Sequence, residues 1–250
     1  MSLKATNARA RIAVIHTADW LLREYFNQHG EHEKYFWITI APASTTFWTF
    51  AAKRFRPEIM RAQVAKEFEG IDYFGMIDAA YYPRSRERRY KGVRSSFKLG
   101  PAVSFHIHLL AWGCSEEAIR GIEDRLNNSC ARFIPSRPVF WCDIVSRKVA
   151  LKRNIYQLKA PLKSYTAWAK MEQAYDTETG EIFWRTESRW EHKKRDLRPG
   201  DAAYVHNLLC DYTIPDLMIG GGAGLTLKQR CIKVTKGRLR FAYGAERMLQ

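Results

Sequence analysis

Two histidines one residue apart, His106 and His108, lie within the run Ala102–Trp112, whose other members are mostly apolar or aromatic. A run of that composition reads as a buried β-strand. Side chains alternate along a strand, so both imidazoles point to one face, about two residue rises apart. Two neutral imidazole nitrogens at that spacing can share one metal ion. Ile107 and Leu109 fall on the opposite face and pack a core. Taken alone, such a pair also occurs in strands that bind no metal, so its meaning depends on the segments around it.

The surrounding elements follow from pattern and punctuation. Residues 11–30 have helical spacing, after a loose basic leader over residues 1–10. Tyr35 to Ala41 reads as a strand ended by Pro42. Thr45 or Thr46 is a candidate cap for a helix running to about Phe68, with a possible break at Pro57. Ile71–Tyr82 reads as a second strand, and the histidine run is the third. Ser115 starts a helix through about Ser129, with Glu116 and Glu117 well placed for the helix dipole. Pro138–Ser146 is a fourth strand, and 147–159 is helical. The order β-α-β-β-α-β-α matches the split βαβ pattern of ferredoxin-like folds, an α+β class with a central antiparallel sheet. The division expected is a basic and helical N-terminal segment (1–34), a main domain (35–168) and a small C-terminal extension or subdomain (169–250). In that last part 185–200 reads as a charged loop, 201–212 as helical and the glycine run 220–224 as a turn.

Composition narrows the partners. The chain of 250 residues carries a net charge of +15 and a pI near 9.7, a balance that favours a polyanion such as nucleic acid. No apolar run approaches the roughly 20 residues needed to span a bilayer, and no signal-peptide core is seen at the N-terminus; a cytoplasmic protein with no membrane association is expected. Five cysteines with no C-x-x-C indicate neither a disulfide framework nor a zinc knuckle. No phosphate-binding loop of the G-x-x-x-x-G-K-[ST] type is present, so any helicase would be a separate host protein.

Three segments, in order, resemble the motifs of the HUH endonuclease superfamily, in particular rolling-circle replication initiators. They are the strand Phe36–Ile40, the pair His106-Ile107-His108, and Tyr156 with Lys159 three residues later on a helix. The likeness covers residues 35–161. The tyrosine follows the histidines, as in replication initiators and single-tyrosine transposases; conjugative relaxases have it before them. The resemblance implies a metal-dependent enzyme that nicks and rejoins single-stranded DNA at an origin, or at an origin hairpin, through a 5′-phosphotyrosine intermediate. Tyr156 is then the nucleophile, and His106 and His108 are metal ligands. Asp78 on the preceding strand is the candidate third ligand, and Mn²⁺ or Mg²⁺ is the ion. Lys159 at i+3 and Lys152 at i−4 share the side of a helix with Tyr156, and either ammonium can favour the phenolate or hold a phosphate oxygen. Tyr165 is the second choice of nucleophile, with Pro161 between it and Tyr156.

The basic stretch from Arg84 to Lys98 reads as a long hairpin loop suited to DNA contact. It includes Arg84, Arg86, Arg88, Arg89, Lys91, Arg94 and Lys98, with Tyr90 and Phe97 interleaved. Lys152 and Arg153 add charge beside the tyrosine. Such phosphate contacts carry no sequence information. Three other functions fit parts of the pattern: a transposase with the same chemistry, a non-catalytic origin-binding or repressor module, and a basic RNA-binding protein with a chance histidine pair.

Overall fold

The computed structural model describes residues 3–29, 34–83, 89–90, 93–94, 101–134, 136–161 and 163–248. The chain opens with helix α1 (Ala8–Gln28). Asn7 caps it, its side chain accepting from the Ala10 N–H at 3.0 Å, which satisfies one of the unpaired donors of a first turn. The leader expected to be loose is docked: Leu3 and Ala5 are buried, and the Ala5 N–H donates to the Tyr212 carbonyl.

The chain continues through β1 (Tyr35–Ile40), β2 (Thr46–Trp48), α2 (Pro57–Glu67), β3 (Asp72–Tyr82), β4 (Arg89–Tyr90), β5 (Val93–Arg94) and β6 (Ala102–Trp112). It then forms α3 (Glu116–Ser129), β7 (Phe140–Val145), α4 (Arg147–Gln157), β8 (Lys163–Tyr175) and β9 (Ile182–Asp196). The last elements are α5 (Pro199–Leu209), α6 (Ile214–Leu217), β10 (Met218–Gly221) and α7 (Ala223–Met248). This is an α+β protein with one large mixed sheet, of strand order β7-β1-β6-β3-β8-β9. The four strands from β7 to β3 are antiparallel to their neighbours. β2 extends the β1 edge of β6. β10 and β8 share the outer edge of β3, β10 antiparallel to it and β8 joined by the parallel pair Tyr81↔Ser164.

The apolar content of β6 explains its central place. Its even-numbered members His106 and His108 face α4, while Ile107 faces the other way and adjoins Met60 and Val64 of α2 and Leu126 of α3. A single hydrophobic core draws on residues from Leu3 to Leu239, so the first and last stretches of the chain pack into the same core as the strands.

Three elements differ from the sequence reading. Residues 43–54 form 3₁₀ turns and β2, and the helix starts only at Pro57. The threonines expected to cap it serve the sheet: Thr45 Oγ1 donates to the Phe105 carbonyl at 2.6 Å and Thr46 Oγ1 to Ser104 Oγ at 3.0 Å. Pro57 then takes the first helical position, where its missing N–H costs nothing. Residues 182–196, read in part as loop, pair with β8 over its whole length. The glycine run is the junction of β10 and α7. A Cβ on Gly224 would lie 1.7 Å from the Tyr73 carbonyl oxygen, so a bare backbone is what lets α7 begin against β3.

Gly75 plays the same part beside the histidines. It pairs with Leu109, and a Cβ there would lie 2.3 Å from the His108 carbonyl oxygen and 2.7 Å from Leu109 Cβ. Gly75→Ala is therefore expected to cost about 1–3 kcal/mol of stability, the usual range for overpacking, read from the urea midpoint. An unchanged midpoint would contradict this close approach of β3 and β6.

Candidate metal centre

Strand register places the donors. Asp78 stands opposite His106 on β3, and Thr39 stands opposite His108 on β1. Residues directly opposite on neighbouring strands share a face, so three strands deliver four polar side chains to one patch. Ligand atoms of Asp78, His106 and His108 all lie within 4.8 Å of one another. The two Nε2 atoms are 3.1 Å apart.

The second nitrogen of each ring is held from behind. His106 Nδ1 faces the Ser104 carbonyl at 3.3 Å. A carbonyl only accepts, so Nδ1 carries the proton and Nε2 presents its lone pair. His108 Nδ1 meets Thr39 Oγ1 at 3.0 Å, and the His108 ring stacks on Trp37 at 5.7 Å. Two facing ring nitrogens 3.1 Å apart need something between them, either the N–H proton of one neutral ring, for which the Thr39 hydroxyl donates to His108 Nδ1, or a metal ion. With the Asp78 carboxylate alongside, two nitrogens and an oxygen form a donor set able to hold one divalent ion.

The electrostatics keep His108 in its ligand-competent form and work against the Asp78 carboxylate. Burial, and then the neighbouring charges of His106 and Lys194, hold His108 well below the ordinary imidazole range, so it stays neutral. Burial raises the Asp78 carboxyl, against the pull of His106, the Ala79 N–H, Arg11 and Lys194. A cation bound there would oppose that rise.

Helix α4 brings Tyr156 to the same place. Its ring centroid lies 6.4 Å from that of His108, and the side chain is 46% exposed, open to a large substrate. Arg11, buried in α1, fixes the end of this helix by donating to the carbonyls of Leu158 and Lys159 at 3.2 and 3.1 Å. Lys159 Nζ sits 6.0 Å from the Tyr156 ring centroid. Lys152, expected on the same side, is exposed and borders another depression, with Arg23 and Arg147. Arg153 pairs with Asp143 at 2.6 Å and lies 5.8 Å from the Trp37 ring centroid, beyond which the His108 ring stacks.

Lys194 of β9 had no signal in the sequence, since only strand pairing brings it here. Its Nζ donates to the Tyr156 hydroxyl and lies 5.6 Å from the Tyr165 ring centroid. Partial burial works against its charge, but the hydrogen bond to Tyr156 and the nearness of Tyr165 outweigh it and raise its pKa. Of the hairpin residues proposed for DNA contact, Arg84, Arg86, Arg88, Lys91 and Lys98 lie outside the described residues. The backbones of Arg89 and Arg94 pair across β4 and β5. Among the described residues, no helix is long and apolar enough to cross a membrane. Comparisons with models of known protein families, with curated proteins and with solved structures give no match.

Thr39→Val removes the hydroxyl that orients His108, and is expected to weaken Mn²⁺ binding roughly 10- to 100-fold in calorimetry. Because the Asp78 carboxyl takes up its proton above the usual carboxylate range, Mn²⁺ affinity should fall on acidification while ordinary carboxylates are still ionised. Asp78→Asn should lower affinity and remove that part of the pH dependence. A variant with the unaltered pH profile would exclude Asp78 as a ligand.

Proposed function

We propose that this protein is a metal-dependent DNA-nicking and joining enzyme of the HUH type, a replication initiator acting on single-stranded DNA at a plasmid- or phage-type origin. The observation that carries the reading is the meeting of Asp78, His106, His108 and Tyr156 around one small region at the sheet surface. The antiparallel order β7-β1-β6-β3, with helices between β1 and β3 and between β6 and β7, supports a ferredoxin-like scaffold for it. The net charge of +15 suits a polyanionic substrate.

Asp78, His106 and His108 would hold Mn²⁺ or Mg²⁺, which when bound polarises the scissile phosphate and favours the charge that develops on it. The Tyr156 hydroxyl gives up its proton to solvent water and its oxygen forms a bond to phosphorus. The P–O3′ bond breaks, and the departing 3′ oxygen takes a proton from water. The products are a 5′-phosphotyrosine and a free 3′-OH, and a later 3′-OH reverses the step to rejoin the strand. The Lys194 ammonium favours negative charge on the phenolic oxygen in both directions, because that oxygen is the nucleophile in one and the leaving group in the other.

The test uses a pool of single-stranded oligonucleotides with a random central segment, incubated with protein and Mn²⁺. Protein–DNA adducts that survive denaturant are then counted. The intact protein is expected to form them, and Tyr156→Phe, His106→Ala and His108→Ala are not. Lys194→Met should slow adduct formation by roughly 100-fold, the scale for losing one electrostatic stabiliser, with part of the rate restored in Lys194→Arg. Adducts undiminished in Tyr156→Phe would move the nucleophile to Tyr165, which shares the Lys194 contact. No adduct from any sequence would reject the reading.

A further inference from the structure

A cleft of about 350 Å³ opens directly from the metal donors. Its lining combines the polar His106, His108, Tyr156 and Lys194 with the aromatic and apolar Tyr82, Phe133, Ile134 and Tyr165. Ile134 and Ala167 form a small apolar cluster of their own, separate from the main core, with Tyr82 and Phe133 packed on it. The Tyr82 ring meets Phe133 edge-on at 5.1 Å and leans toward Tyr165 at 5.7 Å.

This wall is built into the fold. The segment before β7 is tied to the end of β1: the Ala41 N–H donates to the Val139 carbonyl at 2.7 Å and the Ala43 N–H to the Ala131 carbonyl at 2.9 Å. A further turn, from the Arg137 N–H to the Ile134 carbonyl, fixes the tip. Arg137 also borders the cleft and places a cation near the Tyr82 hydroxyl. The volume falls within the range of small-molecule sites, roughly 300–1,000 Å³.

The histidine donors and these aromatic rings line the same cleft, so a phosphate held at the donors would carry its own nucleotide into it. We propose that this cleft holds one unpaired nucleobase, that of a nucleotide flanking the scissile phosphate, against Tyr82, Phe133 and Tyr165. The inference rests on the nicking reading above. It gives single-stranded DNA a physical advantage, because a stacked and paired base must first be released before it can enter.

The test takes an oligonucleotide recovered by covalent capture from the random pool. An abasic residue replaces, in turn, each of the two nucleotides on either side of the cleaved bond. One position is expected to slow adduct formation by roughly 5- to 150-fold, the range implied by loss of one base–aromatic stack, with little change in Mn²⁺ affinity. Phe133→Ala should slow the unmodified strand and erase the difference between it and the abasic strand. The substrate series needs no variant, so misfolding of Phe133→Ala leaves the test intact. Equal rates for all abasic strands would overturn the pocket and leave the nicking reading standing. No adduct with any strand would remove both.

Discussion

The arrangement of this site depends on the contact between His106 Nε2 and His108 Nε2, 3.1 Å apart on the central strand β6. Two nitrogens at that distance share either the proton of one neutral ring or a metal ion, and the surroundings of His108 keep its ring uncharged and able to take either role. The sheet makes the contact rigid. β1 supports β6 on one side through Thr39, and β3 supports it on the other with Asp78 opposite His106. Gly75 permits the close approach of β3, since any side chain there would strike the His108 carbonyl.

The Tyr156 hydroxyl arrives by a different route. Tyr156 sits on α4, whose end is held by a buried arginine of the first helix. Lys194 reaches it from β9, the outermost strand. The N-terminal helix and the long β8–β9 ribbon therefore both help to place Tyr156, although neither supplies one of the three candidate metal donors. Charge is distributed along the same lines: the two nitrogens and the carboxylate gather at the sheet, and the lysines gather around the phenol.

The parts of the molecule that were legible in the sequence are those governed by local pattern. The alternation in Ala102–Trp112 gave both the strand and the common face of the histidines. Ser115 marked the start of α3 correctly, its side chain accepting from the Ala118 N–H. The helical spacing read over 147–159 placed Tyr156 on α4, but the helix ends at Gln157, and Lys159 lies past its cap while its Nζ still sits 6.0 Å from the Tyr156 ring centroid. What stayed hidden depends on distant pairing. Thr45 and Thr46 look like helix caps until β6 lies beside them. Lys194 reads as one more surface charge, and the ribbon that carries it joins β3 through the pair Tyr81↔Ser164, a long-range pairing that no local pattern announces. Lys152 is exposed and borders a separate depression with Arg23 and Arg147, and helical spacing alone does not say which neighbours from other elements a side chain meets. The glycine run was read as a turn because its cause, the backbone of Tyr73, is far away in sequence.

The claim that Asp78, His106 and His108 hold one divalent ion in front of Tyr156 is tested most directly by anomalous diffraction from crystals grown with Mn²⁺. A single anomalous peak is expected, bonded to His106 Nε2, His108 Nε2 and an Asp78 carboxylate oxygen, with the Tyr156 hydroxyl on the same side of the sheet. Crystals that bind Mn²⁺ elsewhere and show no peak among these three donors would contradict it.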